Sequence, residues 1–207
     1  MTKKTLLILP LLFFIGCSSK NVTKTENLTA LKWHNKIYKD LQNANFDQAD
    51  DDFISLEAEH PTSIYIKTDL LNLYMAHLSI NEYDLALFYL NEYEKRYATL
   101  QEYPWIEYQK IKVNYLKYDN AYTNQQMLLN LIAMCKSYIK NYPTSNFKPE
   151  VSTILAKAEL TNKYLNAKIY KVYKKLGKEK ASKLYKTKIP KDSKPPVIPW
   201  YKKLFYW

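Results

Sequence analysis

Two glycines in 207 residues leave the chain almost without the permissive positions that tight β-turns use, while twenty tyrosines give it aromatic surface to pack. That balance excludes a turn-rich all-β protein and points to long helices. Arginine occurs once, at Arg96, so recognition through bidentate guanidinium forks is largely out of reach and lysine point charges must serve. No nucleophile elbow, phosphate loop, metal motif or pair of catalytic carboxylates is present, which argues against an enzyme and against a cofactor. His34, His60 and His77 have no partner at a recognised ligand spacing, so no metal site is expected. The acidic run DQADDD (47–52) lacks the glycine and distal glutamate of a calcium loop and reads as a solvated helix face.

The apolar run Thr5 to Ile15 has 11 residues, too few for the roughly 20 that cross a bilayer core. Preceded by Lys3 and Lys4 and closed by the small Gly16, it has the layout of a secretory signal peptide, residues 1–16. The phrase Phe14-Ile15-Gly16-Cys17 resembles a bacterial lipobox. That resemblance implies cleavage after Gly16, a diacylglyceryl group on the Cys17 thiol and an acylated new amino terminus. The competing reading is an ordinary cleaved signal in which Cys17 is incidental. Two or three acyl chains hold a protein durably where one holds it marginally. Ser18, where an Asp would retain enteric lipoproteins in the inner membrane, permits the outer membrane by analogy. Residues 17–28, polar after Lys20, then read as a tether. With Cys17 lipidated, Cys135 has no partner for a structural disulfide.

Charge is uneven. Ser18–Asn162 carries 15 Lys+Arg against 18 Asp+Glu, whereas Lys163–Trp207 carries 14 lysines against Glu179 and Asp192. The net +11 of the whole chain is therefore set by its last quarter. Nucleic acid is not expected as a partner of a secreted lipoprotein. Acidic protein surfaces or anionic headgroups are the expected counterparts, beside the plain reading of a solvated lysine-rich helix.

Self-similarity decides the expected fold. NFDQADDDFISLEAEHPTS (45–63) aligns with EYDLALFYLNEYEKRYATL (82–100), matching Ala49 to Ala86 and Phe53 to Leu90 at an interval of 37 residues. MLLNLIAMCKSYIKNYPTS (127–145) adds Leu131 and Cys135 at the large packing positions. A small residue followed by large ones four and seven later occupies one helix face, where the alanine lets the partner helix approach. Amphipathic segments at Leu31–Asn43, Ile66–Ile80 and Trp105–Tyr118 precede these helices. Thr99 and Glu102 have capping-box spacing before the third, with Pro104 in its first turn. A degenerate fourth unit, Glu150–Lys188, places Gly177 in its turn and Ala181 four residues on. The expected fold is thus all-α: a tetratricopeptide-like right-handed superhelix over 29–189, three to four helix pairs long, with a concave side for an extended peptide or partner helix. A proline-rich aromatic tail, 190–207, follows.

Lipobox, polar tether and repeats closing in HPTS and YPTS together resemble the BamD family of outer-membrane assembly lipoproteins over about residues 17–188. Family members often have five repeats; here the tail stands in place of the fifth. The resemblance implies a non-catalytic, periplasm-facing subunit of the β-barrel assembly machine. It implies binding to the membrane-embedded barrel-forming subunit through the C-terminal half, and to unfolded barrel precursors through the N-terminal half. Other classes remain open: a pilotin-like or other secretion-system scaffold lipoprotein, or an accessory subunit of a peptidoglycan hydrolase. Lys171, Lys174, Lys175 and Lys178, with Trp200, Tyr201, Phe205 and Trp207 of the tail, form the candidate surface for an acidic patch on the barrel subunit.

Overall fold

The computed structural model describes residues 27–120 and 124–189, which form eight helices and, among those residues, no strand. They are α1 (Ala30–Gln42), α2 (Phe46–Glu59), α3 (Tyr65–Ser79), α4 (Tyr83–Tyr97), α5 (Tyr103–Asn120), α6 (Gln125–Asn141), α7 (Lys148–Lys175) and α8 (Glu179–Thr187). Successive helices pair as α1–α2, α3–α4, α5–α6 and α7–α8, and each pair packs on its neighbours. This is the expected helical-repeat architecture. The expected signal peptide, most of the tether and the tail lie outside the described residues.

Three of the turns inside these pairs are built alike. Ala44, Asn81 and Gly177 take left-handed φ values of 58°, 65° and 67°. The next amide in each closes back onto the preceding helix: Asn45 N–H to the Asp40 carbonyl at 2.9 Å, Glu82 to His77 at 2.9 Å, Lys178 to Tyr173 at 3.0 Å. This six-to-one bond satisfies a carbonyl that the helix end leaves open. Glycine adopts the left-handed turn freely, asparagine with little penalty, and alanine at a cost of about 1 kcal/mol. Ala44→Gly is therefore expected to stabilise the protein by roughly 0.5 kcal/mol, after the added freedom of glycine in the unfolded chain is discounted, and to raise Tm slightly. Thermal melts of the two proteins check this; a lower Tm for the glycine variant would contradict it.

The phrases HPTS and YPTS make the turns between pairs. Ser63 and Ser145 donate their amides to the His60 and Tyr142 carbonyls at 2.9 and 3.2 Å, and their hydroxyls accept from Tyr65 and Phe147 amides at 3.2 Å. The proline after the aromatic position ends the helix because it has no N–H to give. At the corresponding place after α4, Ala98 replaces proline and Glu102 reaches back to the Thr99 amide at 2.8 Å. The helix itself starts at Tyr103. The Thr99 hydroxyl accordingly donates to the Glu102 carboxylate at 2.9 Å and does not cap, a half-formed version of the expected box.

Two apolar clusters make the core, one spanning α1 to the middle of α5 and one spanning α5 to α7. Ala49, Phe53, Ala86, Leu90, Leu131 and Cys135 are all buried in them, while Ala181 is half-buried against α7. Burial pushes the Cys135 thiol up to about 11, which leaves it protonated and inert. His60, at the aromatic position of its turn, is half-buried, and its Nε2 lies 2.7 Å from the Leu28 carbonyl at the entry to α1.

The acidic run departs from the expectation of a solvated face. Asp47 and Asp51 are exposed, but Asp52 is buried and accepts from Lys36 Nζ at 2.8 Å and Gln48 Nε2 at 3.0 Å. Asp50 is half-buried and lies 2.9 Å from His77 Nε2, while accepting the Tyr89 hydroxyl at 2.6 Å. The helix turns two of the four acids inward, so they tie α2 to α1, α3 and α4.

Candidate protein-interaction surfaces

The first helices of the first two pairs carry a stripe that their neighbours leave largely uncovered. On α1 it is Leu31, Asn35, Tyr38 and Gln42, all exposed. Exactly one repeat interval of 37 residues later, on α3, come Thr68, Asn72, Met75 and Ser79. The same step again reaches Trp105, Gln109, Lys112 and Leu116 on α5, but only Lys112 is exposed there: Trp105 and Leu116 pack against the first core cluster and Gln109 accepts from the hydroxyl of buried Tyr74. Positions i, i+4, i+7 and i+11 lie along one side of a helix, so each stripe is continuous. Contacts on other sides fix where the stripes face. Trp33 and Lys36 turn to α2 through Glu59 and Asp52, and His34 turns to α3 through Asp69 at 2.7 Å. Tyr74 of α3 donates to Gln109 of α5 at 2.9 Å, while α5 packs mainly on α4 and α6. The stripes of α1 and α3, which pack on each other, therefore line one surface, mixing exposed Leu31, Tyr38 and Met75 with Asn and Gln amides and the Thr68 hydroxyl. An amphipathic row of this kind offers apolar anchors and hydrogen-bond partners to an extended chain without demanding one sequence. Composition did not reveal it; adding 37 to each polar or apolar position of the first amphipathic segment would have.

The second surface is the end of the stack. Gln125, at the start of α6, donates to Asn162 and Asn166 of α7 at 3.3 and 3.0 Å. Helix α7 continues beyond that level to Lys175, then turns at Gly177 into α8. Tyr173 stacks on Tyr185 at 5.7 Å between ring centres and holds the two helices together. Lys171, Lys174, Lys175 and Lys178 are all exposed on this hairpin, as the sequence suggested. Trp200, Tyr201, Phe205 and Trp207 lie outside the described residues. No helix among the described residues is long and apolar enough to cross a membrane, and no cluster of three or more metal-ligating side chains is found there.

The geometry has a counterpart among known proteins. A model of the YfiO family, described as outer membrane lipoprotein, matches residues 27–183. The outer membrane protein assembly factor BamD of Helicobacter pylori (strain ATCC 700392 / 26695) is 33% identical over 199 residues, covering 93% of this chain and 90% of that protein. A match running from the first described helix into the last leaves no pair of the stack unaccounted for. The chain belongs to the YfiO family of outer membrane lipoproteins.

Proposed function

We propose that this lipoprotein is a subunit of the machinery that assembles β-barrel proteins into the outer membrane, acting by holding other polypeptides and without catalysis or a cofactor. Acyl groups on Cys17 anchor it, and its repeats face the periplasm. The striped surface of α1 and α3 receives unfolded barrel precursors, and the C-terminal half, through α5, α6 and the part of α7 beside them, meets the membrane-embedded barrel-forming subunit. The observation that carries the reading is the repeated stripe on an outer membrane lipoprotein that is similar, over nearly its whole length, to a protein named as an assembly factor. A precursor strand alternates apolar and polar side chains, which suits a surface alternating Tyr38 and Met75 with Asn35 and Asn72.

Photoreactive residues placed at Tyr38 and Met75 in the native envelope are expected to label barrel precursors, and depletion is expected to lower barrel proteins generally. Labelling of a secretin or of a cell-wall hydrolase, with barrel proteins unchanged, would replace this reading with one of the two other scaffold classes. Because Tyr38 and Met75 are exposed, Tyr38→Ala with Met75→Ala is expected to change stability by no more than about 0.5 kcal/mol while weakening precursor labelling several-fold.

A further inference from the structure

The α7–α8 hairpin carries more positive charge than a helix pair needs. Lys171, Lys174, Lys175, Lys178, Lys180, Lys183, Lys186 and Lys188 are all exposed, and Glu179 is the sole acid between Lys163 and Ile189. Apolar side chains stand among them: Leu176 is 62% exposed and Leu184 56%, with Val172 close behind. On α8 the lysines sit on the side away from α7, since Ala181, Ser182 and Tyr185 are the half-buried positions. Nothing among the described residues packs on this outer side; α8 packs on α7.

We propose that the α7–α8 hairpin is a second, electrostatic contact with the membrane, seated against anionic phospholipid headgroups. Three observations favour lipid over an acidic protein patch. Every cation here is a lysine, a hydrated point charge that suits a diffuse anionic surface, and the guanidinium fork that protein interfaces use is absent. The charge is spread around the hairpin and along both helices, where a protein partner would focus it. Leu176, Leu184 and Val172 lie within the basic field, the arrangement by which a helix rests at the boundary of headgroup and acyl chain. The membrane is also at hand: with an anchor at Cys17, the tether to Asn27 spans at most about 35 Å.

The contact sets orientation more than attachment, because acyl chains hold the protein to the membrane already. Pinned at its amino-terminal anchor and at its last hairpin, the stack presents the stripe of α1 and α3 at a set tilt to the bilayer. The proposal rests on the family's outer-membrane location, not on the assembly reading.

The test uses the chain from Ser18 to Trp207, which lacks only signal and anchor and keeps every described residue. It is expected to co-sediment with phosphatidylcholine vesicles doped with phosphatidylglycerol, to ignore pure phosphatidylcholine, and to be released by salt. Each lysine near an anionic surface contributes about fivefold, so the variant Lys171→Gln, Lys174→Gln, Lys175→Gln, Lys178→Gln is expected to bind at least about a hundredfold more weakly. The tail is present in both proteins, so its own contribution cancels. Equal binding to both vesicle types, or an undiminished quadruple variant, overturns the proposal. In native envelopes, a photoreactive residue at Lys183 of the acylated protein is expected to label lipid; labelling of an acidic protein alone also overturns it. Either failure leaves precursor labelling at Tyr38 unaffected, so the two readings fall separately.

Discussion

Phe53→Ala is expected to lose about 3–5 kcal/mol of stability, while Ile54→Ala, one residue on, is expected to change it by no more than about 0.5 kcal/mol. Phe53 is 2% exposed and Ile54 60%. Size and hydrophobicity barely distinguish the pair; direction does. Phe53 points between α2 and α4, where its ring meets Tyr89 edge-on at 5.9 Å. Tyr89 in turn stacks on His77 at 5.4 Å and donates its hydroxyl to Asp50. His77 is fully buried, with Asp50 on Nε2 at 2.9 Å and Glu82 on Nδ1 at 2.6 Å. Removing the phenyl ring therefore opens a void beside a polar network that cannot collapse into it without losing hydrogen bonds. With total stabilities of about 5–15 kcal/mol for ordinary domains, a loss of this size is enough to part the first two helix pairs from the rest. Denaturant unfolding of the two variants checks this, and equal losses at 53 and 54 would contradict it.

The second large effect concerns pH. Desolvation by burial raises the carboxyl of Asp52, with Lys36 and Gln48 opposing and the neighbouring Asp40 carboxyl reinforcing the rise. Burial likewise raises Asp69, against the pull of His34 and of Asn72. The structure shows why these two groups favour protons: Asp52 and Asp69 each present a buried Oδ2 with no hydrogen-bond donor. A carboxyl raised on folding gives stability that is complete below its ordinary value of 3.8 and is lost as pH rises through the folded value. Glu102 acts in the opposite sense. The Tyr93 hydroxyl, then the Thr99 amide and hydroxyl, lower it to about 2, so its contribution is present above 4.5 and fades as pH falls toward that value. The stability maximum is accordingly expected on the acid side of neutral.

Asp52→Asn tests the first half of that account. The amide keeps an oxygen for Lys36 and Gln48 and offers an N–H toward Asp40, without a charge to desolvate. Its Tm is expected to exceed that of the parent by more at pH 8 than below pH 3.8, with a flatter pH dependence between them. Denaturation midpoints across that range read the result; a variant equally displaced at both pH values would show that Asp52 holds no extra proton in the fold.

These cases also show where sequence reading reached and where it stopped. Repeat unit, helix pairing and the buried positions from Ala49 to Cys135 were legible because a small residue followed by large ones at helical spacing has one way to be buried. The closing phrases HPTS and YPTS were legible as stops, since proline ends a helix by its own covalent structure. The acids of 47–52 were not sorted correctly. Four aspartates within six residues carry no mark of which two will face another helix, and that depends on how α2 crosses its neighbours. The stripe of α1 and α3 was missed for a related reason: its members share spacing but not chemistry.

From its residues alone, the chain dictated an all-helical stack with a basic end, because periodicity, turn formers and charge count are properties of a linear string. Tertiary structure decided which polar groups are buried, that α7 overruns α6 into a protruding lysine hairpin, and that unlike side chains on two helices line one surface. Such facts depend on how helices cross, and a crossing is set by both partners at once, far apart in the string.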